Sequence, residues 1–346
     1  MTIDAHGGNT FAYSGVRYDF SVNLNPLGMQ KPILDAVRDN AETFDAYPDT
    51  RCRALRRAAG EREGLPEDYF VFGNGAADII VRLCMALKPK KALVTAPTFS
   101  EYEAAVTLAG GQTVRYALSE AENFQVTPAY AQAVTPDTDL VFLCQPNNPT
   151  GQLAASGTVE ALLAACRQAG ARLVIDECFL EFTGGQSAKA YLADNPHLIL
   201  LKAFTKMYSM AGLRLGYCLC ADSAVTEAVA AWGQSWSVSA PAQVAGIAAC
   251  AMTEHPQKTR AYLETERPWL MQQLGRLVKV YPADGNFILF RAGPDLWQKC
   301  MDRGVMLRSC ANFHGLGEDF YRIGIQSHSN NLELLRTLEE IFSESR

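Results

Sequence analysis

Residues 198–219 read LILLKAFTKMYSMAGLRLGYCL. The stretch opens on an apolar run, LILLKAF, with the length and composition of a buried strand, and closes on a second, LRLGYCL. Between the two runs stand Lys206 and Arg214, eight positions apart in an otherwise mostly uncharged segment. Lys202 falls beside the strand, where its charge is expected to reach solvent. Lys206 and Arg214 are different: cations at the end of a strand buried on both faces carry a desolvation cost that something must offset.

Further runs of the same kind lie on the N-terminal side: KALVTA (91–96), DLVFLC (139–144) and ARLVIDE (171–177). Each is short, rich in leucine or β-branched residues and continuous rather than alternating, as strands buried on both faces read. Helical segments separate them: AADIIVRLCMALK after Gly75, SEYEAAVTLAG, and SGTVEALLAACRQAG. In the last, Val159, Leu162, Leu163 and Cys166 keep one apolar stripe and Gly170 suits the stop. Alternating strand and helix predict an α/β fold, a mostly parallel sheet with helices on both faces and ligands at the carboxyl ends of its strands. After about residue 240 the pattern changes to longer helices, then VKVYPADGNFILFRA and FYRIGI as strands, which predicts a smaller α+β domain. The expected division is an N-terminal arm over 1–30 belonging to the small domain, a large domain over 31–240 and a small one over 241–346.

Composition narrows the function. The chain has 346 residues, 48% of them hydrophobic, and a net charge of -6. Without a basic excess or stripe, binding along a nucleic-acid backbone is not expected. Ten cysteines are scattered without paired spacing, which predicts reduced, buried thiols in a cytoplasmic protein and no metal centre. The opening MTIDAHGGN has neither the basic nor the apolar region of a secretion signal, and no run of about eighteen apolar residues predicts a membrane span.

Four segments carry chemistry. FGNGAAD places Gly73 and Gly75 before a helix, whose N-terminal amides suit an anion, although Asp78 stands where a dinucleotide fingerprint needs its last glycine. CQPNNPTG follows the strand DLVFLC, and its prolines fix a turn that presents asparagine amides. VIDECF ends a strand on Asp176, which follows three apolar residues and calls for a cationic partner. Lys206 lies 206 − 176 = 30 residues later, past the next strand, at the same sheet edge. A desolvated lysine beside other cations loses its proton readily and becomes a carbonyl-reactive amine, and the Arg214 fork suits a phosphate. A reactive lysine, a carboxylate for a ring nitrogen and a phosphate site are together the protein partners of pyridoxal 5'-phosphate.

QPNNPTG, IDE, FTKMYSMAGLRLGY and YRIGI resemble the fold-type I aminotransferase superfamily over nearly the whole chain. The branches most similar are histidinol-phosphate aminotransferase and threonine-phosphate decarboxylase of cobalamin synthesis, and HGGN, FSVNLNPLG and LRSCANF lean to the decarboxylase. The resemblance implies that Lys206 bonds the cofactor aldehyde, that Asp176 keeps its ring nitrogen protonated and that Asn148 bonds its ring hydroxyl. Phe99 resembles the aromatic that stacks on the ring. Gly75, Ala76, Thr205 and Arg214 resemble the phosphate cup, and Tyr47 resembles a tyrosine lent by the neighbouring subunit of a homodimer. Arg322 matches the arginine for the substrate α-carboxylate, while His6, Asn23 and Arg308 resemble residues around a substrate phosphate. Tyr102 and Asn286 are expected to line the pocket without taking part in the chemistry.

Two positions depart from the family. Ala203 replaces the usual Ser or Thr three residues before the lysine, so one phosphate hydrogen bond is either lost or made by water instead. Phe179 replaces a tyrosine that bonds the ring hydroxyl in typical aminotransferases, as it also does in the decarboxylase branch. The activity implied is decarboxylation of an O-phosphorylated hydroxy-amino acid, threonine phosphate first, giving 1-amino-2-propanol phosphate. Transamination of histidinol phosphate is the alternative, and a cofactor-sensing regulator without turnover is a third reading, against which the chain shows no basic helix for DNA.

Overall fold

The computed structural model describes residues 6–344. Its first strands are β1 (Tyr18–Asp19), β2 (Phe70–Gly73), β3 (Lys91–Ala96), β4 (Gln112–Ala117), β5 (Leu140–Cys144), β6 (Arg172–Asp176), β7 (Leu198–Ala203) and β8 (Gly216–Leu219). The later ones are β9 (Lys279–Val280), β10 (Phe287–Arg291), β11 (Val305–Met306), β12 (Arg308–Ser309) and β13 (Phe320–Gly324). Helices α1 (Lys31–Asp39), α2 (Arg53–Glu63), α3 (Ala76–Leu87), α4 (Glu101–Leu108), α5 (Thr158–Ala169), α6 (Phe204–Met207) and α7 (Ser223–Ala231) accompany the first group. The long helices α8 (Ala240–Cys250) and α9 (His255–Leu274), then α10 (Leu296–Met301) and α11 (His328–Ser343), accompany the second.

Seven strands form one sheet in the order β2-β8-β7-β6-β5-β3-β4, parallel from β7 to β4, with β8 antiparallel to both its neighbours. Along β6, Val174 faces a core shared with α3, α4 and α7, while Leu173 and Ile175 face the opposite core, which α5 helps to form. Burial on both faces is why these strands read as unbroken apolar runs, each such side chain contributing roughly 1.5–3 kcal/mol. The expected mostly parallel sheet is therefore present. Two strands of this sheet escaped the sequence reading: β4 is an edge strand whose residues are exposed or half-buried, and β2 is four residues long and runs straight into a glycine turn. LRLGYCL is also extended only from Gly216, because Arg214 adopts a left-handed φ of 59° in the turn before it.

The register places the chemistry. Cys144 pairs with Asp176 and Asp176 with Leu201, so β5 and β6 end level, β7 runs two residues further, and the turns after them share one sheet edge. A separate antiparallel sheet runs β12-β13-β10-β9, and β1 pairs in parallel with β11, bringing residues 18–19 against 305–306. In that second sheet Arg308 and Arg322 are direct cross-strand partners.

Lys202 does not reach solvent as expected. Its side chain is 12% exposed and its ammonium lies 2.8 Å from Glu63 and 3.9 Å from Glu177. The position alternates with Leu201 and Ala203 on a strand covered on both faces, so α2 must supply a carboxylate. Nine of the ten cysteines are buried. No helix among the described residues is long and apolar enough to cross a membrane.

Candidate active site

A cavity of about 410 Å³ opens at the carboxyl ends of β5, β6 and β7, where the second sheet and the N-terminal arm meet the large sheet. Its wall includes Lys206, Asp176, Asn148, Phe99, Ala76, Thr205, Arg214, Asn23, His6, Arg308 and Arg322. Gly75 stands directly behind that wall as the N-cap of α3. Tyr47 does not reach it: the side chain is exposed and stacks on Trp236 with ring centroids 4.4 Å apart.

Each residue arrives by a local route. Asn147 turns inward and ties the QPNNPTG turn, donating to the Pro97 carbonyl at 3.0 Å, which leaves Asn148 facing the cavity. Asn148 Oδ1 accepts from Arg322 Nη1 at 2.5 Å, and Arg322 Nη2 donates to the Ser21 carbonyl at 2.8 Å. Arg322 Nε is buried without a partner among the described residues, as is Asn23 Oδ1. Burial lowers the Arg322 pKa to about 10, with Arg308 as a further unfavourable charge. Lys206 stands on the short helix α6 with its ammonium 5.7 Å from the Phe179 ring. Burial first, then the charge of Arg322, lowers its pKa to about 8. Asp176 accepts from the Cys178 amide at 2.9 Å and from the Tyr102 hydroxyl at 2.6 Å.

The candidate anion site combines backbone and one side chain. Gly75 takes φ 88° and ψ 167°, a conformation open to glycine, and a Cβ there would stand 2.6 Å from Arg214 Nη2. The glycine therefore lets the guanidinium lie against the N-terminus of α3, held by the carbonyls of Ala211 and Asn74. A twelve-residue helix aimed at that point adds its dipole to the arginine charge.

Comparison with known proteins identifies the family. The profile of the family described as "Aminotransferase class I and II" matches residues 18–339. This chain belongs to that family. It is similar to the threonine-phosphate decarboxylase of Salmonella typhimurium, 35% identical over 98% of this chain and 97% of the relative. Among solved structures it resembles the histidinol-phosphate aminotransferase from Clostridium acetobutylicum, with TM-score 0.88 and 27% identity over 94% of this chain and 99% of that one. The fold also matches the histidinol-phosphate aminotransferase from Sinorhizobium meliloti, solved in complex with pyridoxal-5'-phosphate, at TM-score 0.84 and 21% identity over 96% and 92% of the two chains.

The cofactor of the family is pyridoxal 5'-phosphate, and the residues here fit it. An amine of lowered pKa, a carboxylate in a buried wall, and a helix N-terminus with an arginine against it lie around one cavity. Phe99 lines the same cavity. Several wall residues were not read from the sequence: Ser21, Glu101, Cys178 and Phe313. Glu101 pairs with His6 at 2.9 Å and follows Phe99 in the same FSEY segment, which was the available signal. Asn286 and Tyr102 stand behind the wall instead of lining it. Asn286 donates to the Asn23 and Leu24 carbonyls at 3.1 and 3.2 Å, holding that segment in place.

Proposed function

We propose that the protein removes carbon dioxide from an O-phosphorylated hydroxy-amino acid, L-threonine O-3-phosphate first, releasing 1-amino-2-propanol phosphate for cobalamin synthesis. The observation that carries the reading is the Arg308–Arg322 pair. Two buried arginines directly opposite each other on neighbouring strands repel, and both line a cavity that already has a third arginine for the cofactor phosphate. A ligand with two separated anionic groups offsets that repulsion; an amino acid carrying a phosphate is such a ligand. The 35% identical relative named for this activity supports the same choice.

In this reading Arg322 holds the α-carboxylate, and Arg308, His6 and Asn23 hold the phosphate. Gripping the substrate at both ends fixes the torsion at the α-carbon and so selects the bond that breaks, a use of binding energy remote from the reacting atoms. Bound pyridoxal phosphate supplies the electron sink for that bond. Asp176 would hold a proton at the ring nitrogen, Asn148 would orient the ring, and the Lys206 amine, its pKa lowered to about 8, would deliver a proton to the α-carbon after carbon dioxide has left. The Phe179 ring beside Lys206 excludes water from that proton transfer. We further infer that residues 31–240 carry the cofactor while 1–30 and 241–346 close on the substrate, and that the enzyme is a cytoplasmic homodimer in which Tyr47 enters the neighbouring site.

A second reading, transamination of histidinol phosphate, is favoured by the similarity to the Clostridium acetobutylicum enzyme. Phosphothreonine, phosphoserine and histidinol phosphate offered side by side to the holoenzyme separate the two. Carbon dioxide release from phosphothreonine is the expected result. Transfer of its amino group to 2-oxoglutarate, with no carbon dioxide, rejects decarboxylation.

A further inference from the structure

We propose that Tyr102 is a positioning residue for Asp176, fixing the carboxylate and setting how strongly it competes for the proton at the cofactor ring nitrogen. The inference rests on the reading that Asp176 faces that nitrogen. Tyr102 stands in the first turn of α4, three residues after Phe99, so one helix end carries both the ring-stacking aromatic and this hydroxyl. Its side chain is fully buried, stacked on Phe142 with centroids 4.7 Å apart and meeting Phe99 edge-on at 5.6 Å.

The hydroxyl donates to Asp176 Oδ2 at 2.6 Å while the Cys178 amide donates to Oδ1 at 2.9 Å. Both oxygens are tied, so the carboxylate cannot rotate, yet each retains a lone pair for a donor in the cavity. Among the described residues no lysine or arginine forms an ion pair with Asp176. The two neutral donors therefore supply stabilisation that elsewhere comes from a cation, and they do so without cancelling the charge the ring nitrogen needs. Tyr102 remains a donor throughout, because burial, and then the Asp176 charge, pushes its pKa well above the ordinary tyrosine value. Without the hydroxyl, Oδ2 loses its donor and is left to accept more strongly from the ring nitrogen, drawing the proton away from the ring and weakening the electron sink.

The test uses holoenzyme reconstituted with pyridoxal phosphate isotope-labelled at the ring nitrogen, read by NMR for the position of the ring proton. Tyr102→Phe keeps the packed ring and removes only the hydroxyl. Tyr130→Phe is the control, since Tyr130 is equally buried but donates to the Leu93 and Phe142 carbonyls at 3.1 and 2.9 Å. In Tyr102→Phe the ring-nitrogen signal is expected to move toward the unprotonated position, with kcat down about tenfold, the low end for losing one buried hydrogen bond to a charged group, and KM nearly unchanged. Tyr130→Phe leaves the signal in place. An unmoved signal in Tyr102→Phe, or an equal movement in Tyr130→Phe, overturns the inference while leaving the role of Asp176 standing. An unprotonated ring in the wild-type holoenzyme overturns that role and this inference together. If Tyr102→Phe does not fold, a ring-fluorinated tyrosine at 102, a stronger donor of similar size, is expected to move the signal the opposite way, and no movement is again fatal.

Discussion

Lys206 illustrates how far a single residue can be read in advance. Its type and its place after an apolar strand were visible in the sequence. Its reactivity was not, because the pKa of about 8 comes from burial and from Arg322, a residue 116 positions later (322 − 206) on another sheet. The sign of the pH effect follows: below the pKa the amine holds its proton and cannot attack an aldehyde. The rate at which apo-protein captures pyridoxal phosphate covalently should therefore climb with pH and level off above about pH 8, as followed by stopped-flow absorbance. A rate still climbing at the pH where a free lysine titrates would mean that the ammonium is not desolvated. At Arg322 the guanidinium fork spans Asn148 and the Ser21 carbonyl, which one ammonium cannot do. Arg322→Lys is expected to raise KM for an α-carboxylate substrate roughly ten- to hundredfold, the effect of losing about 1.5–3 kcal/mol of charge-assisted hydrogen bonding. An unchanged KM would place the carboxylate elsewhere.

Among the elements, the N-terminus of α3 was legible and the ion cluster behind β7 was not. Gly75 before an apolar helix marked a turn suited to an anion, and its left-handed conformation lets Arg214 lie against that turn. Gly75→Ala should cost roughly 1–3 kcal/mol of backbone strain and weaken cofactor binding by displacing the guanidinium, measured by thermal unfolding and by titration with pyridoxal phosphate. Retention of full cofactor affinity would show that the phosphate is held elsewhere. Lys202 read as a strand-end charge, but Glu63 arrives from α2, 139 residues away, along with Tyr217 and Lys189. Burial opposes the Glu63 charge, yet Lys202 and Lys189 outweigh it and hold the carboxyl at about 2. Its stabilising contribution is thus present above the ordinary glutamate range and is lost as the pH falls toward 2. Lys202→Met leaves a buried carboxylate short of its nearest cation and should lower the unfolding free energy by roughly 3 kcal/mol at neutral pH in urea titrations. The same variant should lose less on acidification than the wild type, because Glu63 then titrates closer to its unfolded value; an identical acid limb would exclude this ion pair as its source.

For the whole molecule, Tyr47 poses the question. It is exposed beside Trp236, two aromatic rings stacked on the outside of a chain whose active cavity lies elsewhere. If each site borrows Tyr47 from a partner, Tyr47→Ala and Lys206→Ala damage complementary halves. Mixing the two variants under conditions of subunit exchange is then expected to restore activity above the sum of the separate proteins, since a mixed dimer holds one intact site. No recovery, with mixed dimers demonstrated, would confine each site to one chain.

The sequence by itself determined the central strands of the large sheet, the helices α3, α4 and α5 that pack on them and many of the residues around the cavity, because buried strands write continuous apolar runs and chemistry collects at their ends. It also marked the turn that carries Asn148 and the glycine that Arg214 requires. The tertiary structure alone decided which side chains meet: Arg308 opposite Arg322, Tyr102 on Asp176, Glu63 on Lys202, and His6 on Glu101. Those contacts join residues far apart along the chain, and their geometry depends on strand register and on the packing of one sheet against another, neither of which has a local signature in the order of residues.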